Sequence, residues 1–137
     1  MKITIRSLQK KADRIFSLYI RLSKSDKEGY CECITCGKKL PWKGTGLMHA
    51  GHFVSRHHIP TRYDEMNVHP QCASCNEYHG GEIAIYGARL REIYGDHITD
   101  ELVLKGNQVA KLTHDDYIEL EDMYKEKFKY LSGEKNG

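Results

Sequence analysis

The sequence predicts an α+β fold: a small metal-stapled ββα core, flanked by a basic N-terminal helix and by C-terminal helices. Three observations predict it. Two Cys-x-x-Cys pairs, Cys33–Cys36 and Cys72–Cys75, bracket a central segment that contains His49, Gly51 and His52. Apolar residues recur at steps of three and four on both sides of that segment and only there. The segment itself reads as strand, loop, short strand and short helix, in which a hairpin fixes one histidine and the helix presents a second polar ligand opposite it. At 137 residues the chain is long enough for one domain with a modest core.

In order along the chain, Leu8, Ala12, Ile15, Tyr19 and Leu22 form the apolar stripe of a helix over residues 7–24, with Ser7 as its N-cap. Gly29 and the first cysteine pair end it. Residues 37–46 read as turns, since Pro41, Gly44 and Gly46 fall within them. Residues 47–54 suit a short strand, and Ile59-Pro60 opens a loop that returns through Tyr63 to a strand near Val68. Cys72 to His79 reads as a short helix stopped by Gly80-Gly81. Ile83, Tyr86, Leu90 and Ile93 mark a further helix ended by Gly95, and residues 99–105 another before Gly106. Thr113 caps a last helix whose apolar positions are Tyr117, Leu120, Tyr124, Phe128 and Leu131, with Asp115 and Asp116 placed favourably in its first turn. The whole chain, 1–137, is thus one domain: a basic helix at 7–24, the metal-stapled core at 31–80 and a helical part at 81–131.

Four thiolates in two knuckles can close a tetrahedral zinc site with no open position, which makes that zinc structural. Cys31 competes for the ion through Cys31-Glu-Cys33, although two intervening residues suit a knuckle turn better than one. Five cysteines used in this way fit a reducing compartment. No apolar run approaches the roughly 18 residues that span a membrane, and the N-terminus lacks the organisation of a signal peptide. Both point to the cytoplasm.

Net charge is only +2, yet residues 1–30 carry eight Lys/Arg against three acids, and residues 96–126 carry nine acids against three lysines. A basic end attracts a polyanion and an acidic end repels it, although solvated helix faces give the same pattern. The central residues sharpen this. Phosphodiester hydrolysis needs a base for water, charge neutralisation at the phosphate and support for the leaving oxygen. A neutral imidazole serves as base, assigned to His52, and one divalent ion can meet the other two needs. Asn76 offers an amide oxygen, a hard ligand suited to Mg²⁺ or Mn²⁺. Gly51 would let backbone and substrate approach closely. Arg56 and Arg62, in the adjoining loop, can hold phosphates through paired hydrogen bonds or can stand exposed without contact. His57, His58, His69, His97 and His114 read as surface or supporting groups.

The runs His49-Ala-Gly-His52-Phe-Val-Ser-Arg56 and Arg62-Tyr-Asp-Glu-Met-Asn67-Val-His-Pro-Gln-Cys72-Ala-Ser-Cys75-Asn76 resemble the phage NinG (Rap) recombination nucleases, a branch of the HNH or His-Me finger superfamily. The resemblance spans about residues 11–131. It implies an HNH-like ββα-metal core and an endonuclease that acts on branched DNA or Holliday junctions in phage recombination, inside the bacterial host. By position, His52 matches the catalytic histidine, Asn67 the asparagine that braces the loop, Asn76 the ligand on the finger helix and the cysteines the zinc ligands. Two positions depart from the pattern. His49 stands where relatives tend to carry aspartate, so it either ligates the catalytic ion, favouring Mn²⁺ or Zn²⁺, or braces the strand. Tyr78 stands where a histidine is common, with His79 one position further. Symmetric cutting of a four-way junction takes two active sites, so the resemblance also implies a homodimer. The competing readings are a non-catalytic zinc-stabilised DNA-binding module and a zinc-stapled scaffold for protein contacts.

Overall fold

A computed structural model describes residues 3–136; Met1, Lys2 and Gly137 lie outside it, and with Lys2 one charge of the basic stretch. Helix α1 (Ile5–Ser23) begins two residues earlier than the periodicity suggests. Its cap is Thr4, whose Oγ1 accepts from the Ser7 amide at 3.1 Å, and Ser7 is already inside the helix. Leu8, Ala12, Phe16 and Ile20 form the buried stripe, while Ile15 and Tyr19 sit half-buried beside it. Strict steps of four residues keep these side chains on nearly one line.

The last helix, α5 (His114–Asn136), is capped reciprocally. The Asp116 amide donates to Thr113 Oγ1 at 3.1 Å and the Thr113 amide donates to Asp116 Oδ2 at 2.8 Å, which satisfies two donors that a helix start leaves open. Helices α1 and α5 lie side by side and run the same way: Leu8 and Ala12 pack on Tyr117, and Phe16 meets Tyr124 edge-on with ring centroids 4.9 Å apart. The two long apolar stripes therefore close the core of this chain. The part of the acidic stretch from Asp115 to Glu126 is carried by α5, the neighbour of the basic α1, although the two stretches are expected at opposite ends.

Between them lie two small antiparallel sheets. Strands β1 (Tyr30–Glu32) and β2 (Lys39–Pro41) pair with Cys31 opposite Leu40. The second of these strands falls within the stretch read as turns only. Knuckle geometry creates it: the Cys33 amide donates to the Lys38 carbonyl and the Gly37 amide to the Cys33 carbonyl, and Gly37 takes φ +79, so the chain folds back on itself. Strands β3 (His49–His52) and β4 (Val68–Gln71) pair with Gly51 opposite His69 and His52 opposite Val68. The loop between them holds a single turn, α2 (Ile59–Arg62), opened by Pro60, whose missing amide hydrogen costs nothing at a helix start.

After β4, the expected short helix is one π-helical turn, Ser74–Tyr78. Both Cys72 and Cys75 are drawn to the knuckle, and Gly80 and Gly81 at φ +59 and +85 turn the chain away, so no regular helix can lengthen there. Helices α3 (Ile83–Tyr94) and α4 (Ile98–Gly106) follow. Tyr86, Leu90, Ile98 and Leu102 pack with Ile34, Phe53 and Val54. Ile83 and Ile93, read as part of that stripe, are exposed. The second sheet is thus held between α1 on one side and α3–α4 on the other. No helix among the described residues is long and apolar enough to cross a membrane.

Candidate functional site

The sulfurs of Cys33, Cys36, Cys72 and Cys75 all lie within 4.8 Å of one another, with Cys36 and Cys72 at 3.7 Å. A tetrahedron with Zn–S bonds of about 2.3 Å has S···S edges of about 3.8 Å, so the cluster fits a structural zinc. Cys31 is not part of it: its Sγ points to the Arg21 carbonyl at 3.3 Å. The thiols also show why a cation belongs there. In Cys33, burial opposes ionisation, but hydrogen bonds from Thr35 and from the Cys72, Cys36 and Thr35 amides outweigh it and draw the pKa down to about 6. In Cys75, a hydrogen bond from Thr35 favours the thiolate, but burial and the neighbouring sulfurs prevail and push it up to about 12. One thiolate forms easily, and it makes the next costly until a positive ion joins them.

On the other flank of β3 opens a cleft of about 710 Å³. Its walls are Ser17 and Arg21 of α1, Asn76 and Glu77 of the π-helical turn, and Arg56 of the loop; its floor is β3 with His49 and His52. The His52 ring is largely buried and its Nε2 lies 2.9 Å from the Arg62 carbonyl. A carbonyl only accepts, so Nε2 carries the hydrogen, and Nδ1, engaged by no protein group among the described residues, keeps its lone pair. Burial first, aided by the charges of Arg56 and Arg62, lowers the His52 pKa to about 4. The imidazole is neutral at physiological pH.

Asn67 lies fully buried beneath this loop. Its Nδ2 donates to the Val54 and Thr61 carbonyls, both at 3.0 Å, and its Oδ1 accepts from the Val54 amide at 2.8 Å. These bonds tie the exit of β3 to α2, the turn that holds the His52 partner. Across the cleft, Asn76 Nδ2 is 3.4 Å from His49 Nδ1, and Glu77 Oε1 is 3.6 Å from the same nitrogen. His49 Nδ1, the Asn76 amide and the Glu77 carboxylate therefore cluster together, with the amide nitrogen turned to the imidazole; a divalent ion would be met by the Asn76 oxygen instead. Glu77 was not legible as a partner of His49, because no periodicity relates a strand to a π-helical turn. His79 faces the cysteine side, where its Nδ1 meets the Ser74 carbonyl at 2.9 Å.

Two sequence readings need correction. Arg62 is not free for a phosphate. Its Nε and Nη2 donate to the two Asp13 carboxylate oxygens at 2.9 and 2.5 Å, and Nη1 donates to the Arg56 carbonyl at 2.7 Å. Tyr63 also donates to Asp13, at 2.7 Å. The pair anchors to α1 the backbone that orients His52. Asp13→Ala should cost about 2 kcal/mol, the scale of a charge-assisted hydrogen bond. Urea unfolding of the single variants and of the Asp13→Ala, Arg62→Ala double variant checks it: the double should cost less than the sum of the singles. Gly51 does not face a substrate, since a Cβ there would lie 2.1 Å from Gln71 Oε1; its bareness seats the Gln71 side chain. His69, read as a surface or supporting group, is buried, with Nδ1 3.3 Å from the Tyr86 hydroxyl and Nε2 2.8 Å from that of Tyr94, and so is a supporting group. Arg56 is exposed at the cleft, consistent with a phosphate contact.

Comparison with known proteins gives one consistent result. The family described as Bacteriophage Lambda NinG protein matches residues 2–134. Protein ninG of Escherichia phage 933W is 27% identical over 123 residues, which is 89% of this chain and 57% of that protein. Protein ninG of Salmonella phage P22 is 30% identical over 94 residues, 68% of this chain and 42% of its own length. That of Escherichia phage lambda is 27% identical over 100 residues, 72% of the chain and 45% of the relative. The chain thus spans about half the length of these relatives. No solved structure matches it.

Proposed function

The chain belongs to the NinG family of bacteriophage proteins, and from that premise we propose that it is a metal-dependent, structure-selective DNA endonuclease of the HNH type, acting on branched DNA or Holliday junctions during phage recombination. The observation that carries the reading is the cleft itself: a buried neutral imidazole with one nitrogen committed and the other unengaged lines the same cleft as the clustered His49, Asn76 and Glu77. A zinc-bound scaffold for protein contacts needs no such pairing.

In this reading β3, β4 and the π-helical turn form the ββα-metal core. His52 Nδ1 takes a proton from water, whose oxygen attacks phosphorus as the bond to the leaving sugar oxygen breaks. The Arg62 carbonyl holds the ring in the tautomer that makes this possible, and Asn67 holds the loop that carries Arg62. His49, Asn76 and Glu77 would hold Mg²⁺ or Mn²⁺, which supplies charge neutralisation at the phosphate and the leaving oxygen. Arg56 adds a positive charge at the rim. The protein works in the cytoplasm of the bacterial host as a homodimer, because paired cuts across a junction need two such sites.

The test is direct: purified zinc-loaded protein is incubated with four-way, flap and linear duplex DNA, with Mg²⁺, with Mn²⁺ and with neither. Cleavage of branched DNA that depends on the divalent ion is expected. Intact substrates under every condition would overturn the nuclease reading and leave the DNA-binding module and the protein-contact scaffold. His49→Asp refines the metal assignment: a harder oxygen should shift the preference from Mn²⁺ towards Mg²⁺ with zinc content unchanged. Rate measured against concentration of each ion decides it, and superimposable curves for wild type and variant would exclude His49 as a ligand.

A further inference from the structure

The cleft contains a second cation whose role the reaction above leaves open. Helical periodicity makes Arg21 one more base of the N-terminal helix, yet it is only 8% exposed. It lines the cleft on the wall next to His49 and His52. Its Nε donates to the carbonyl and to the hydroxyl of Ser17, both at 3.2 Å, and Nη1 donates to the Trp42 carbonyl at 2.5 Å. All three acceptors are neutral. Cys31, whose sulfur interacts electrostatically with Arg21, lies with its Sγ 3.3 Å from the Arg21 carbonyl.

Among the described residues no carboxylate lies within ion-pair distance of this guanidinium; the ion pairs formed elsewhere involve Arg62, Arg89 and three lysines. The contrast with Arg62 is instructive. Both arginines are tied to α1 and both are largely buried, but Arg62 meets a carboxylate, Asp13, whereas Arg21 meets none among the described residues. A buried guanidinium with no carboxylate beside it is costly to hold. Holding one at the wall of an open cleft is understandable when an anion arrives from outside. Arginine also keeps its proton in any such environment and offers a planar edge matched to phosphate oxygens.

We propose that Arg21 is a phosphate-binding residue: with Nε and Nη1 anchored to Ser17 and Trp42, its Nη2 edge takes a non-bridging oxygen of a DNA phosphodiester lying in the cleft. The assignment rests on the DNA reading of that cleft and adds the group that would hold the backbone beside His52. Because the guanidinium is clamped in advance, little side-chain freedom is lost when DNA arrives.

The experiment measures binding, not cleavage. Fluorescence anisotropy with a labelled four-way junction, in Ca²⁺ without Mg²⁺ or Mn²⁺, is run from 50 to 200 mM salt for wild type, Arg21→Gln and Arg21→Lys. Arg21→Gln should weaken binding about tenfold and reduce the slope of log K against log salt by about 0.9, one phosphate contact. Arg21→Lys should keep the slope. Wild-type affinity and slope in a folded Arg21→Gln protein would overturn the proposal, and so would a wild type that binds no DNA. Should Arg21→Gln not fold, the NMR resonance of the Arg21 Nε–H group, assigned by its loss in Arg21→Lys, decides. A shift on adding DNA is expected, and an unmoved signal at saturation overturns the idea. Absence of cleavage by a wild type that binds in this Arg21-dependent way would sink the nuclease reading and leave the phosphate site standing.

Discussion

His52→Ala should lower cleavage of branched DNA by about 10²–10⁴-fold, the usual cost of losing a general base, while the affinity for the same DNA changes little. The imidazole points its one hydrogen at the Arg62 carbonyl and offers no donor to a phosphate, so removing it should act on the rate and not on the hold. The pH profile adds a second readout. Burial keeps the His52 pKa at about 4; the neutral form is the base, and it is the form present above that value. Cleavage should therefore show no fall attributable to this ring between pH 8 and pH 5, a range over which an ordinary histidine near 6.5 would become protonated. Single-turnover rates across that range check it. A wild-type rate in His52→Ala would remove the residue from the chemistry, and a clear inflection near 6.5 that vanishes in the variant would show the ring to be far more solvated than its surroundings indicate.

Removing a zinc ligand should have an equally large effect, on folding. Cys75→Ser leaves three sulfurs where a closed tetrahedral site needs four. The buried cluster of Cys31, Cys33, Met48, Cys72 and Cys75 is small, with Leu40 and Trp42 the partly buried hydrophobics packed against it among the described residues, so metal binding and folding of the two knuckles are one equilibrium. The variant should lose zinc, and the amides of β1 through the π-helical turn should lose protection from hydrogen exchange. The α1–α5 pair, with its own aromatic core at Phe16, Tyr63 and Tyr124, should outlast them. Titrating wild type with a strong zinc chelator should reproduce that order. A zinc-free variant with native-like protection across residues 31–78 would show the metal to be dispensable.

What the sequence by itself determined is local or periodic. Cysteine spacing picked out the four cysteines that cluster within metal-binding distance, because a two-residue turn can aim both sulfurs at one point whatever surrounds it. Steps of three and four residues located α1, α3 and α5, and Thr113 with Asp116 marked a helix start to the residue. Glycines after the second knuckle marked where the finger stops. Even there a local rule erred by small amounts: Thr4 caps α1 instead of Ser7, since either residue satisfies the capping chemistry and only the packing of Leu8 on Tyr117 fixes which turn comes first.

The tertiary structure decided everything that depends on which distant groups meet. Sequence could propose Arg56 and Arg62 as equivalent loop cations, but Asp13, 49 positions away, takes the second and turns it into the anchor of the His52 loop. It could not bring Glu77 to His49, nor tell that Arg21 leaves the solvated face of its helix for the wall of a cleft. Nor could it show that the apolar stripes of α1 and α5 face each other within one chain. The reason is physical. Propensity, capping and ligand spacing are set within a few bonds of the backbone, whereas burial, ion pairing and a shifted pKa are set by whatever the fold brings within a few ångströms, and that is a property of the packed chain as a whole.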